Sequence, residues 1–115
     1  MKDTISAGMI YDHQIIFNQS DVITFADITG DNNPIHLDES FASKTKFKRP
    51  IVHGLYSACI FSKVFGTLFP GEGTIYLSQE INFLKPVYVN EPYNAQFEVL
   101  KINIQKGIAL INCSL

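Results

Sequence analysis

Residues 53–68 read HGLYSACIFSKVFGTL, and the reading of this stretch decides the fold. Apolar side chains at Leu55, Tyr56, Ala58, Cys59, Ile60, Phe61, Val64, Phe65 and Leu68 leave little polar face, which predicts the longest helix of the chain, covered by its neighbours nearly all round. The Pro70-Gly71-Glu72-Gly73 run ends it. Downstream everything is β-type: residues 74–84, 93–105 and 108–115 are rich in branched and aromatic side chains, with turns at Asn90-Glu91-Pro92 and Lys106-Gly107. Consecutive, hairpin-linked strands pair antiparallel. A sheet of this kind that must cover one apolar helix predicts an α+β domain, the sheet curled around the helix.

Upstream, residues 14–17 predict a short strand closed by a turn at Asn18. Ser20 is expected to cap a helix with Asp21 in its first turn and Val22, Phe25, Ala26 and Ile28 on its apolar stripe, ended by Gly30. Asp31-Asn32-Asn33-Pro34 then forms a polar turn, since the ring of Pro34 excludes a helical Asn33. Asp38 is expected to cap a short helix reaching Ala42 or Ser43, and residues 44–49 form a basic connector stopped by Pro50.

A chain of 115 residues with 46% hydrophobic content predicts one globular domain over residues 1–115. Nine basic residues against eleven acidic ones argue against a nucleic-acid binder, which neutralises phosphates with a basic face. The stretch at 51–69 is interrupted by His53, Ser57, Ser62 and Lys63 and makes a poor membrane span. Cys59 and Cys113 lie in apolar stretches and are expected as reduced core residues. With an N-terminus, MKDTISAGMIYDHQ, that lacks the signal-peptide pattern, they predict a cytoplasmic protein. His13 falls in a polar stretch and is expected at the surface.

Residues 25–42 read FADITGDNNPIHLDESFA, placing a carboxylate, Asp31, and an imidazole, His36, on either side of a rigid Asn-Pro turn. Such a turn either aims both side chains at one point or uses Asp31 and Asn32 only to shape a loop, with His36 exposed or satisfied in the core. A second element, RPIVHGLYSACIFS at 49–62, sets His53-Gly54 at the start of the predicted helix. Unpaired amides and a positive dipole end gather there, and glycine lets a ligand approach the backbone.

The two elements, GDNNPIH at 30–36 followed by Phe41-Ala42 and RPIVHG at 49–54, resemble the MaoC-like and (R)-specific enoyl-CoA hydratase family. GTIYLSQEINFLKPV at 73–87 is similar to that family's strand after its central helix. The resemblance implies a hot dog fold and a hydro-lyase that adds water reversibly across a trans-2-enoyl thioester in fatty-acid or polyhydroxyalkanoate metabolism. It implies that Asp31 and His36 flank the reacting water and that the Gly54 N–H binds the thioester oxygen. Asn33 is expected to orient the loop or the substrate. Ser62 either supports the catalytic carboxylate or bonds back to its own helix, and His53 suits a structural role at the helix start.

Lys44, Lys46, Lys48 and Arg49 form the basic concentration, either a phosphate site for a coenzyme A tail or a solvated loop. Tyr56, Phe61, Phe65, Tyr76 and Phe83 line an acyl tunnel or simply fill the core. No metal and no redox cofactor is expected, because the three histidines show no ligand cluster in the sequence and coenzyme A belongs to the substrate. The resemblance further implies a homodimer, and an acyl carrier protein is an alternative carrier of the substrate. Family members usually continue past the position of Leu115 with a turn and another strand, so the family's C-terminal strand is expected to be missing. That makes a non-catalytic thioester-binding subunit the alternative of a different class.

Overall fold

The computed structural model describes residues 5–115. Its elements run β1 (Ile10–Ile16), α1 (Gln19–Thr29), α2 (Pro34–Leu37), α3 (Glu39–Ser43), α4 (Gly54–Thr67), β2 (Pro92–Asn103) and β3 (Ile108–Ser114), an α+β composition. No helix among the described residues is long and apolar enough to cross a membrane. The described residues form two compact units, the first made of residues 5–15, 60–78 and 93–115, the second of residues 16–59 and 79–92.

The first unit holds a three-stranded sheet in the order β1-β2-β3. β2 alternates, with Ala95, Phe97 and Val99 buried and Asn94, Gln96, Glu98 and Leu100 between or beside them less so, which is the period of a half-buried strand. It pairs antiparallel with β3 from Gln96↔Ser114 to Asn103↔Ile108, with a register shift between Val99 and Lys101. On its other side the Gly8 N–H donates to the Val99 carbonyl and Gln14 Nε2 to Asn94 Oδ1, so β1 also runs antiparallel. Phe97 centres this core, with the rings of Phe61 and Phe65 edge-on at 5.8 and 5.4 Å. Such aromatic pairs contribute about 0.5–1.5 kcal/mol beyond their burial.

The second unit packs α1, α2, α3 and the start of α4 around Phe17, Val22, Ala26, Ala42, Val52 and Ala58. Tyr56 lies 4.8 Å from the Phe25 ring, stacked, and 5.3 Å from Phe17, edge-on. Backbone bonds from Val52 N–H to the Val87 carbonyl and from Asn90 N–H to the Phe17 carbonyl, both 2.7 Å, tie residues 87–90 to this unit.

Four expectations are corrected. α1 is capped by Asn18, not Ser20: the Asp21 carboxylate at N3 accepts from the Asn18 N–H at 3.3 Å, and this reciprocal geometry moves the start of the helix back. Residues 74–84 form no strand. A strand exists only through a ladder, and this stretch joins none, leaving Ile75, Leu77, Phe83 and Leu84 exposed. The 53–68 helix exists as α4 but is not covered all round: Leu55 is 64% exposed, and Cys59, Ser62 and Gly66 follow it at helical spacing on the exposed side. Cys59 is accordingly a free, exposed thiol rather than a core residue, while Cys113 is half-buried and its thiol is pushed up to about 11 by burial.

Candidate active site

The chain between α1 and α2 is fixed by its own side chains. Gly30 adopts the left-handed conformation (φ 78°) that closes α1, its N–H reaching the Ala26 carbonyl at 2.8 Å. Asn33 then caps α2, its Oδ1 accepting from the Ile35 N–H at 3.1 Å, and Pro34 supplies a preset first helical residue. Asp31 and His36 are thereby held at either end of a locally braced turn, and Gln19 Nε2 donates to the His36 carbonyl at 2.9 Å.

Both imidazoles near this turn have one nitrogen committed. His36 Nδ1 lies 2.8 Å from the Ile51 carbonyl oxygen, which can only accept, so Nδ1 carries the hydrogen and Nε2 keeps its lone pair. His53 Nε2 lies 2.9 Å from the Asp31 carbonyl, which by the same logic leaves the lone pair on Nδ1. His53 is only 2% exposed, and its Nδ1 has no hydrogen-bond partner. The two rings stack with centroids 3.9 Å apart, and Phe25 lies 4.7 Å from His53.

Burial lowers the His36 pKa, opposed by the bond to the Ile51 carbonyl; neighbouring His53 lowers it further and Asp31 raises it. His36 is therefore neutral at pH 7, a free base at Nε2.

Asp31, His36 and His53 line a cavity of about 420 Å³ with Gly54 and the mainly apolar Phe25, Thr29, Leu55 and Phe83. Gly54 opens α4, and its N–H has no acceptor among the described residues. A Cβ at Gly54 would lie 2.9 Å from the Phe83 ring, so the absence of a side chain at Gly54 leaves room for that ring. The cavity thus offers a neutral base, a carboxylate and an unpaired amide beside an apolar wall. Those are the groups needed to move a proton near a polarised carbonyl.

Among the other residues singled out by sequence, Asn33 shapes the loop as a cap, and Tyr56 is half-buried between two rings, outside the cavity lining. Ser62 is exposed on α4 and does not line the cavity. The Arg49 guanidinium is engaged, 2.6 Å from the Glu91 carboxylate and 4.0 Å from the Tyr88 ring centroid, whereas Lys44, Lys46 and Lys48 are exposed. Sequence reasoning left His53 out of the site, because a histidine at a helix start is commonly structural. Its position between apolar Val52 and Gly54 was the available signal.

A family model described as a MaoC like domain matches residues 3–111. Over 97 residues, 84% of this chain and 62% of the relative, the sequence is 44% identical to the 3-hydroxybutyryl-CoA dehydratase of Methylorubrum extorquens, so the match spans less than two thirds of that protein. It is 43% identical to the (R)-specific enoyl-CoA hydratase of Aeromonas caviae over 83% of this chain and 71% of that one. The solved (R)-hydratase from A. caviae, described as involved in PHA biosynthesis, matches with a TM-score of 0.84 at 33% identity, covering 96% of this chain and 93% of that one. With the family model spanning nearly the whole sequence, the chain belongs to the MaoC-like domain family.

Proposed function

We propose that the chain is an (R)-specific enoyl-CoA hydratase, working in reverse as a 3-hydroxyacyl-CoA dehydratase. The observation that carries this reading is the gathering of Asp31, neutral His36 and the unpaired Gly54 amide around one largely apolar cavity. Relatives named as a 3-hydroxybutyryl-CoA dehydratase and an (R)-specific enoyl-CoA hydratase support it, as does the fold match. The match also supports a hot dog arrangement.

In hydration, a water held by Asp31 and His36 attacks the β-carbon and gives up a proton to the pair. The electrons of the double bond move toward the thioester carbonyl, whose oxygen accepts a hydrogen bond from Gly54 N–H. The pair then delivers a proton to the α-carbon on the same face, so water is added syn and no net charge is left. Both groups face the same water, so neither proton is assigned to one residue alone. Positioned acid/base groups contribute on the order of 10²–10⁴-fold, and one oxyanion donor on the order of 10²–10³-fold.

Coenzyme A is the preferred carrier because both named relatives carry that word, with acyl carrier protein the alternative. The exposed Ile75, Leu77 and Leu84 support a homodimer, in which such surface would be covered. The test mixes purified protein with crotonyl-CoA and follows loss of the enoyl-thioester absorbance in wild type, Asp31→Ala and His36→Ala. Turnover to the (R)-3-hydroxy thioester, abolished in both folded variants, is the expected result. A folded wild type inert on coenzyme A and carrier-protein thioesters alike would favour a non-catalytic thioester-binding subunit.

A further inference from the structure

We propose that His53 is a positioning residue for the acid/base pair: its Nε2–H holds the Asp31 backbone and its ring backs the His36 imidazole. The inference rests on the hydratase reading above and adds a third side chain to it, one that touches both members of the pair and not the reacting atoms.

The first contact is on Asp31. His53 Nε2 lies 2.9 Å from the Asp31 carbonyl, twenty-two positions away in sequence. On the other side of the same residue the Asp31 N–H donates to Thr29 Oγ1 at 3.2 Å, and the Thr29 hydroxyl donates in turn to the Phe25 carbonyl at 2.8 Å. Both polar groups of the Asp31 backbone are therefore held by side chains. Gly30, just before it, is the most permissive residue of the turn, so the tie falls where the chain has most freedom to swing. A carbonyl fixed in this way fixes the Cα beside it, and with it the direction in which the carboxylate leaves the chain.

The second contact is on His36. Its Nδ1–H donates to the Ile51 carbonyl at 2.8 Å, a single bond about which the ring could still rock. The His53 ring, stacked on it with centroids 3.9 Å apart and planes 29° apart, blocks that motion. Nε2 of His36 is then aimed by one contact in the plane of its ring and one across its face. His53 is packed in its turn by the Phe25 ring, 4.7 Å away.

His53 also breaks a packing rule. It is buried with a bare Nδ1, whereas a phenyl or isobutyl side chain would fill the space without burying an unpaired acceptor. Departures of this kind are expected at functional sites. With Nδ1 buried and Nε2 committed to Asp31, His53 has no nitrogen to offer a substrate, which makes its role positioning rather than catalytic.

Substitutions separate the two contacts. His53→Phe keeps a ring face and loses the N–H, His53→Gln keeps an amide N–H at a similar reach and loses the ring, and His53→Leu loses both. Each is checked for folding by circular dichroism and assayed on crotonyl-CoA. His53→Leu should lower kcat on the order of 10²-fold, the scale of a misplaced catalytic group, with KM nearly unchanged. His53→Phe and His53→Gln should each keep more of kcat than His53→Leu. Long-range nitrogen–proton NMR spectra of the unliganded wild type should show the hydrogen of His53 on Nε2 and that of His36 on Nδ1.

Should His53→Leu fail to fold, His53→Phe and His53→Gln carry the test, each with kcat below wild type and KM unchanged. A folded His53→Leu with wild-type kcat, a loss confined to KM, or a His53 hydrogen on Nδ1 overturns the proposal. Any of these in an active enzyme keeps the hydratase and removes the positioning role. A wild type inert on every thioester refutes the hydratase reading instead, and the spectra then decide whether His53 holds Asp31.

Discussion

In residues 30–38 the polar backbone is taken up within a few positions: Gly30 N–H by Ala26, Ile35 N–H by the Asn33 side chain, Asp38 N–H by Pro34. Residues 74–84 differ. They are rich in branched and aromatic side chains like a strand, yet form none and leave Ile75 76% and Leu84 88% exposed. The first segment carries its own partners, whereas the second has the composition of a strand and forms none. A site that must hold two side chains in register is built on the first kind of segment, because caps and turns need nothing from elsewhere.

That contrast predicts where substitutions will matter, beginning with the chemistry. Asp31→Asn keeps the shape of the turn and removes the carboxylate, so kcat should fall on the order of 10²–10⁴-fold with the unfolding midpoint nearly unchanged, as steady-state assays and denaturant titration would read. Gly30→Ala attacks the turn itself. Nothing lies within 4 Å of an added Cβ, so its cost is the left-handed backbone alone, about 1–2 kcal/mol in chemical denaturation. Asn33→Ala removes the cap of α2 for about 1 kcal/mol and should also lower kcat, because His36 rides on that helix.

Leu84→Ser should cost less than about 0.5 kcal/mol in dilute protein. A larger loss, growing with concentration, would show that residues 74–84 are covered by a second copy, which would sharpen the contrast rather than remove it.

The pH dependence follows from His36. Its pKa is lowered, so the neutral base persists below the usual range of about 6.5, and kcat/KM should fall only as pH drops past that value. The unfolded chain, with the higher pKa, binds the proton first. The His36 contribution to stability is therefore full above about 6.5 and lost as pH falls toward the folded-state value, which pH-dependent unfolding would follow.

The same contrast explains what the sequence disclosed. Gly30, Asn33-Pro34 and Asp38 act through neighbours two to four residues away, and the helix end and the α3 cap stand where those residues place them. β2 and β3 were legible because alternation and the Lys106-Gly107 turn agree. Between two good caps two residues apart, Asn18 prevailed over Ser20 through Asp21 at N3, a shift of two positions that pattern alone does not resolve.

Residues 74–84 failed because pairing is not local, and Cys59 because an apolar helix does not declare which side lacks a neighbour. The motifs that carry Asp31, His36 and Gly54 were legible and these residues line one cavity, while the bare Nδ1 of His53 emerges only from its other nitrogen's contact with the Asp31 carbonyl, distant in sequence.

The central claim is that Asp31 and His36 act as one acid/base unit. A double-mutant cycle tests it most directly, with crotonyl-CoA hydration rates for wild type, Asp31→Ala, His36→Ala and the double variant. The account predicts that the double variant loses no more than about the larger single loss, as for residues that work as a set. Single losses that multiply in the double variant, or a double variant as active as wild type, would contradict it.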